Sequence, residues 1–357
     1  MTTIAPLSAH IAPELEAALR NTAREAEQLK QLHPAQQAIL YEQQWLQLFV
    51  PKQYNGLQLR LPEALQLEEA LAWADGSTGW TITLCAGAAW FIGFFDPEIA
   101  ALLFNDVKAC IAGSGKTSGI AKKIPGGYQV TGYWDYASGA GIATAFTANC
   151  LIEENGTVLK NVDGSPAIQA FVFLQNEVTV HHNWNRVGMI ATGSDSFEVN
   201  NLILKKNRAF TIDPHHAVLK DPVYQYPFLQ FAELTLAVNS SGMALRFIEL
   251  CTAILQQKEN PAATPVLKNT VAGLDKAREE FYAVAVISWQ QCCSNMEITP
   301  AVLQQVSYAS RQLAVISRKA VDELYPYCGM QAANPDTEIN RVWRNLHTAS
   351  QHSLFNR

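Results

Sequence analysis

The spacing of apolar positions divides the chain into three stretches. Over residues 1–106 they recur at helical intervals, as in "APELEAALRNTAREAEQLKQL", where Leu and Ala line one face and Glu, Arg and Gln the other. Pro62 sits at the start of "PEALQLEEALAWA", a place where its missing N–H costs nothing. That helix is expected to stop at Asp75-Gly76, with Ser77 capping the next. The most apolar window, "WTITLCAGAAWFIGFF" (80–95), is shorter than the ~20 residues a membrane-spanning helix needs and predicts a buried helix.

Over residues 107–212 the period drops to two. "GGYQVTGYWDYASG" alternates behind a Pro125-Gly126-Gly127 turn, and Asn155-Gly156 separates "FTANCLIEE" from "TVLKNV" as a hairpin turn would. "IQAFVFL", "VTVHHNW" and "SFEVNNLIL" extend the strand pattern. Over residues 213–357 long helical periods return four times, ending in "DTEINRVWRNLHTASQHSLF". The expected fold class is therefore α+β: an N-terminal all-α domain, a central antiparallel β domain and a C-terminal four-helix bundle.

Composition narrows the function classes. The chain has 357 residues, 48% hydrophobic and 16% charged, which suits a large core and a surface partly covered by subunit contacts. A net charge of -6 supplies no basic field for nucleic acid. Seven cysteines without paired spacing, and an N-terminus with no basic region before an apolar core, point to reduced thiols in a cytoplasmic protein without a membrane anchor.

Three motifs fail on inspection. "AGSGKT" (112–117) has Cys110 where a phosphate loop needs its first glycine, and it runs into strand-like sequence where that loop needs a helix. His181-His182 and His215-His216 are neighbours, and His347 and His352 are five apart, so no zinc spacing exists. No GxSxG elbow for a hydrolase is present.

The closing segment, "RVWRNLHTASQHSLFNR" (341–357), has three arginines and two histidines but no acid. At roughly 100° per residue, Arg341, Asn345, Thr348 and His352 share one stripe, Arg344 lies at its edge, and Trp343 and Leu346 lie opposite. A solvated face would mix in glutamates for i, i+4 pairing. Their exclusion predicts that this face looks inward at an anionic partner. For His352 a polar residue near a helix end is the plain alternative to a catalytic imidazole.

The three-part order and several stretches resemble the acyl-CoA dehydrogenase superfamily, in particular its flavin-dependent two-component monooxygenase branch. The stretches are "VPKQYNGLQLRLPEALQLEEALAWADGSTGW", "GGYQVTGYWDYASGAGIATA", "WNRVGMIATGSDSFEVNNLIL" and "RVWRNLHTASQH". The resemblance implies a flavin, FAD or FMN, bound between the β domain and the bundle and completed by a neighbouring subunit of a dimer or tetramer. It would be supplied reduced by a separate flavin reductase. Tyr136, Ala137 and Ser138 would lie beside the ring, with the Ser138 hydroxyl near N5 or C4a; a strand-end serine capping a turn is the alternative. Thr192 and Ser194 would contact flavin or simply form a turn. Gly113 and Ser114 occupy the place of a flavin-cradling loop, and Arg341 and Arg344 would face the cofactor. His352 and Ser138 would be catalytic in hydroxylating an aromatic or other small organic substrate through a flavin C4a-hydroperoxide. Asn345 departs from the family's usual aspartate, which puts an ion pair with Arg341 or Arg344 in doubt. Glu233 is the base that an α,β-dehydrogenase of acyl thioesters would use, with a solvated helix carboxylate as its plain alternative. A third reading is a scaffold of this fold without catalysis.

Overall fold

The computed structural model describes residues 6–258, 260–294 and 297–355. Five helices come first: α1 (Pro13–Leu29), α2 (Pro34–Glu42), α3 (Leu61–Ala74), α4 (Gly76–Ala89) and α5 (Pro97–Leu103). The boundary between α3 and α4 falls where the sequence put it, but with a different cap. Asp75, not Ser77, is the N-cap of α4, its carboxylate accepting from the Thr78 N–H at 2.9 Å and the Thr78 hydroxyl at 2.7 Å. One carboxylate oxygen takes both bonds and so satisfies a first-turn N–H of α4. The apolar window becomes α4 and a following 3-10 turn, with Trp90, Ile92 and Phe94 buried.

Eight strands follow: β1 (Ile111–Ile124), β2 (Gly127–Ala137), β3 (Ala145–Glu154), β4 (Thr157–Val158), β5 (Ile168–Leu174), β6 (Thr179–His181), β7 (Asp195–Lys205) and β8 (Ala209–Phe210). They form one sheet in the order β6-β7-β2-β1-β3-β5-β8, with β4 paired to β3. The Asn155-Gly156 hairpin forms as expected, both residues taking positive φ (52° and 78°) as a tight primed turn requires. The sheet is mixed rather than purely antiparallel. After the β1–β2 hairpin the chain crosses to the far side of β1, so β3 runs parallel to it. Period-two alternation specifies strands but not their pairing, so this crossover left no trace in the pattern.

The C-terminal part contains α6 (Pro222–Gln225), then α7 (Phe228–Lys258), α8 (Ala263–Cys293) and α9 (Pro300–Cys328), followed by α10 (Met330–Ala333) and α11 (Glu338–Ala349). Three helices are long; the expected fourth is much shorter. Gly329, at φ +63°, ends α9, and Thr337 caps α11. At its other end α11 finishes at Ala349, so His352 follows the helix instead of continuing its stripe. No helix among the described residues is long and apolar enough to cross a membrane.

Buried acids tie the helical parts together. Glu69 of α3 accepts from Arg278 Nε and Nη2 at 2.8 and 2.9 Å, from Tyr282 at 2.8 Å and from Ser241, joining α3 to α8 and α7. Its neighbour Glu68 is fully buried, and loss of hydration pushes its carboxyl well above the usual range, only partly opposed by the Thr83 hydroxyl. Folded protein therefore keeps a proton that the unfolded chain releases near pH 4.5, so Glu68 costs stability as pH rises above that value. Glu68→Gln is expected to stabilise the protein by on the order of 1 kcal/mol or more at pH 7.5 and to have little effect below pH ~4.5. Thermal melts of both proteins at the two pH values check this.

Candidate active site

The site begins at the end of β2. The β2–β7 register shifts between the Trp134–Phe197 and Ala137–Asp195 pairs, and inside that irregularity Tyr136 takes φ +70°. A left-handed backbone is costly for an aromatic residue and persists only where its surroundings enforce it. Ala137 is fully buried. Ser138, 5% exposed, turns its hydroxyl into the protein. There it accepts from Trp80 Nε1 of α4 at 3.2 Å and meets Ser194 Oγ at 2.8 Å. Ser194 Oγ meets Thr192 Oγ1 at 2.7 Å, and Thr192 donates to the Met189 carbonyl at 2.8 Å. Gly139 N–H donates to Thr192 O at 2.9 Å, fastening the two segments. The fold thus brings Ser138, Ser194 and Thr192 into one chain of hydroxyls.

On the outer side of this strand end Tyr136 is 48% exposed. Lys116 Nζ lies 4.5 Å above its ring, Arg186 Cζ lies 5.9 Å away, and the Trp184 ring meets it edge-on at 6.2 Å. Lys116 also pairs with Asp135 at 2.7 Å, and that bond holds the Asp135 carboxyl below its usual range. Gly113 and Ser114 lie inside β1, not in a loop. Ser114 donates to the Asp135 carbonyl at 2.7 Å, so it braces the strand next to Tyr136. Asp195, buried beside Ser194, accepts from Trp184 N–H at 2.9 Å and lies 2.8 Å from His182 Nδ1; Trp184 Nε1 in turn donates to Met189 O at 2.7 Å.

The closing helix covers the same place from the other side. Arg341, Arg344 and Asn345 are all buried, so the acid-free face does look inward. Acids from other elements answer its cations. Arg344 binds Glu27 of α1 with both terminal nitrogens at 3.1 and 2.9 Å, donates to Val187 O at 2.7 Å, and its Nε donates to Asn340 at 2.8 Å. Arg341 lies close enough to Asp75 to oppose the upward push that burial gives that carboxyl. Asn345 Oδ1 accepts from the Met189 N–H at 2.7 Å. An amide oxygen serves there as well as a carboxylate, and no ion pair with the arginines is needed. Gly188 touches the helix backbone: a Cβ there would sit 2.0 Å from Arg344 O.

His352, half-buried just past the helix, meets Trp80 edge-on at 5.9 Å and Phe355 at 6.4 Å. Its Nδ1 accepts from the Leu354 N–H at 3.4 Å. Trp80 therefore links the imidazole to Ser138, joining the N-terminal helices, the sheet and the last segment. His347, by contrast, packs on Trp343 at 4.4 Å with its Nε2 3.0 Å from Asp322, away from the Trp80–Ser138 pair.

Residues 230–357 match the family described as acyl-CoA dehydrogenase, C-terminal domain. Backbone similarity extends over the rest: XiaF from a Streptomyces species, solved with FADH2 and glycerol, superposes with a TM-score of 0.88 at 19% identity, covering 98% of this chain and 91% of that one. The chain has the acyl-CoA dehydrogenase fold. Curated proteins similar over most of this chain carry hydroxylase and monooxygenase names. A pigment production hydroxylase of a Rhodococcus species is 26% identical over 87% of this chain and 82% of its own. The flavin-dependent monooxygenase, oxygenase subunit HsaA, of Rhodococcus jostii is 23% identical over 94% and 91%.

Within this acyl-CoA dehydrogenase fold the dehydrogenase base considered for Glu233 has another job. Glu233 is not a solvated carboxylate but 1% exposed, accepting from Ser307 and from Arg311 at 3.1 Å, a strut between α7 and α9. Sequence reasoning missed Trp80, Lys116, Trp184 and Arg186 as parts of the site. Trp80 stood in the "ADGSTGW" stretch, where it read only as a family turn; Lys116 comes from β1, and Trp184 and Arg186 from the segment between β6 and β7, so only the fold brings these three together.

Proposed function

We propose that this protein is the oxygenase component of a two-component flavin-dependent monooxygenase that hydroxylates an aromatic or other small organic substrate. One observation carries the reading. The buried Ser138 hydroxyl chain, the His352 imidazole on Trp80, and the exposed Tyr136 ring flanked by Lys116 and Arg186 converge at the meeting of the three parts of the chain. Aromatic faces with cations above them suit a flat anionic ring system, and buried hydroxyls suit its polar edge. The donor set therefore fits a flavin, FAD or FMN, and the relatives' names point the same way. Bound in its reduced form, flavin supplies the electrons that activate dioxygen for transfer to an organic substrate.

In this reading Tyr136 and its cations hold the ring, and Ser138 hydrogen-bonds its polar edge. Trp80, Ala137 and Thr192 keep bulk water from that side, since all three are buried. His352 takes the proton of a phenol-like substrate, a task suited to imidazole near neutral pH. Arg341 and Arg344 act indirectly, by seating the closing helix on Asp75 and on Glu27 with Val187. A flavin reductase would deliver the reduced cofactor. Exposed apolar side chains on α8 and α9, among them Ile287, Tyr308 and Val315, favour a homo-oligomer, a dimer or tetramer. Seven free cysteines accord with a cytoplasmic setting.

Titrating the purified protein with FMN and FAD, oxidised and anaerobically reduced, tests the proposal. Binding of reduced flavin, followed by hydroxylation of a phenol or indole when dioxygen is admitted, is expected. Affinity for neither flavin in either state would leave only a scaffold. Anaerobic bleaching of bound oxidised flavin by an acyl-CoA would make it a dehydrogenase instead.

A further inference from the structure

Three hydroxyls and one carbonyl in the site fix where every proton lies. The contacts Ser138–Ser194, Ser194–Thr192 and Thr192–Met189 O measure 2.8, 2.7 and 2.8 Å. Two oxygens that close need a proton between them. Each hydroxyl has one proton and the carbonyl has none. Three contacts therefore consume three protons, and only one arrangement is allowed: Thr192 donates to Met189 O, Ser194 to Thr192, and Ser138 to Ser194. The Trp80 indole, which can only donate, meets Ser138 from the other end at 3.2 Å, in agreement with that direction. Ser138, Thr192, Ser194, Met189 and Trp80 are all buried, so bulk water does not compete for these protons.

The geometry points to Thr192 and Ser194 as positioning residues that hold Ser138 as a hydrogen-bond acceptor toward its ligand. With its proton committed to Ser194 and one lone pair taken by Trp80, Ser138 offers a ligand one remaining lone pair and no proton. Its ligand atom must be an N–H or O–H donor. This rests on the flavin reading above: reduction creates a ring N–H at flavin N5, where the oxidised ring has a bare acceptor nitrogen. The ordered chain thus selects the reduced form through residues that do not themselves touch it.

The test is the ratio of dissociation constants for oxidised and anaerobically reduced FMN and FAD, measured on the wild type, Thr192→Val and Thr192→Ser. Valine keeps the shape of threonine but removes the terminal donor and acceptor. Ser194 then turns its proton to Ser138, whose own proton becomes available to a ligand. The wild type is expected to prefer reduced flavin, Thr192→Val to lower that preference by about tenfold, the scale of one hydrogen bond, and Thr192→Ser to restore it. If Thr192→Val does not fold, Ser194→Ala carries the same expectation, because it also leaves the Ser138 proton without its acceptor. An unchanged ratio in a folded variant, or a wild type that binds both redox forms equally, overturns this inference while the flavin site stands. A wild type that binds no flavin overturns the functional reading, and the inference with it.

Discussion

Replacing His352 by alanine is expected to cut the hydroxylation rate of a phenol at least ~100-fold, the scale of a lost acid–base catalyst, while the thermal midpoint stays near that of the wild type. The structure supports the second half of this expectation as well as the first. His352 stands beyond the last turn of α11, half-buried, and its ring meets Trp80 and Phe355 edge-on. Loss of such contacts costs little compared with a packed core side chain. The loss in rate would arise because the imidazole packs on Trp80, whose indole N–H donates to Ser138. Comparing rates at a substrate's own phenol pKa separates the roles. A phenolate needs no base, so the variant's deficit is expected to shrink as pH rises through that value. A deficit constant with pH would mean that His352 shapes the pocket rather than moving the proton, and an unchanged rate would remove it from the mechanism.

The strands of the sheet and the order of the three parts were legible because burial imposes a period. "GGYQVTGYWDYASG" and "SFEVNNLIL" fall on β2 and β7, although the register shifts in their pairing break strict alternation of burial, and Asn155-Gly156 turns where two positive φ angles are required. The inward-facing closing helix was legible too, because an acid-free face on an acidic protein needs a reason. What answers it was not. Glu27 stands 317 residues from Arg344, and no local period reports so distant a pair. The helical wheel also extended the polar stripe to His352, whereas the helix stops at Ala349 and a turn sets the imidazole's direction. The hydroxyl chain is intermediate. Its members were visible as residue types, but the proton order depends on distances between segments that only the fold brings together.

Arg344→Met is expected to lower stability by about 3–5 kcal/mol, the cost of leaving one partner of a buried ion pair alone. The two side chains are only 10% and 14% exposed, and the pair is bidentate, so solvent cannot take over the lost bonds. Methionine preserves most of the apolar stem and isolates the charge effect. Adding Glu27→Gln should recover part of the loss, since the stranded carboxylate accounts for much of it. The same substitution frees the Val187 carbonyl, two residues before the Met189 N–H that Asn345 holds and the Met189 carbonyl that ends the hydroxyl chain. Weaker reduced-flavin binding should therefore accompany the lower melting midpoint; in the double variant the midpoint should recover in part, while binding, which depends on the Val187 carbonyl, stays weak. Were Arg344 a direct ligand of flavin phosphate, the flavin-free protein would melt as the wild type does and Glu27→Gln would restore nothing. Melting curves of the wild type, Arg344→Met and the double variant without flavin, beside their reduced-flavin titrations, separate a strut from a ligand.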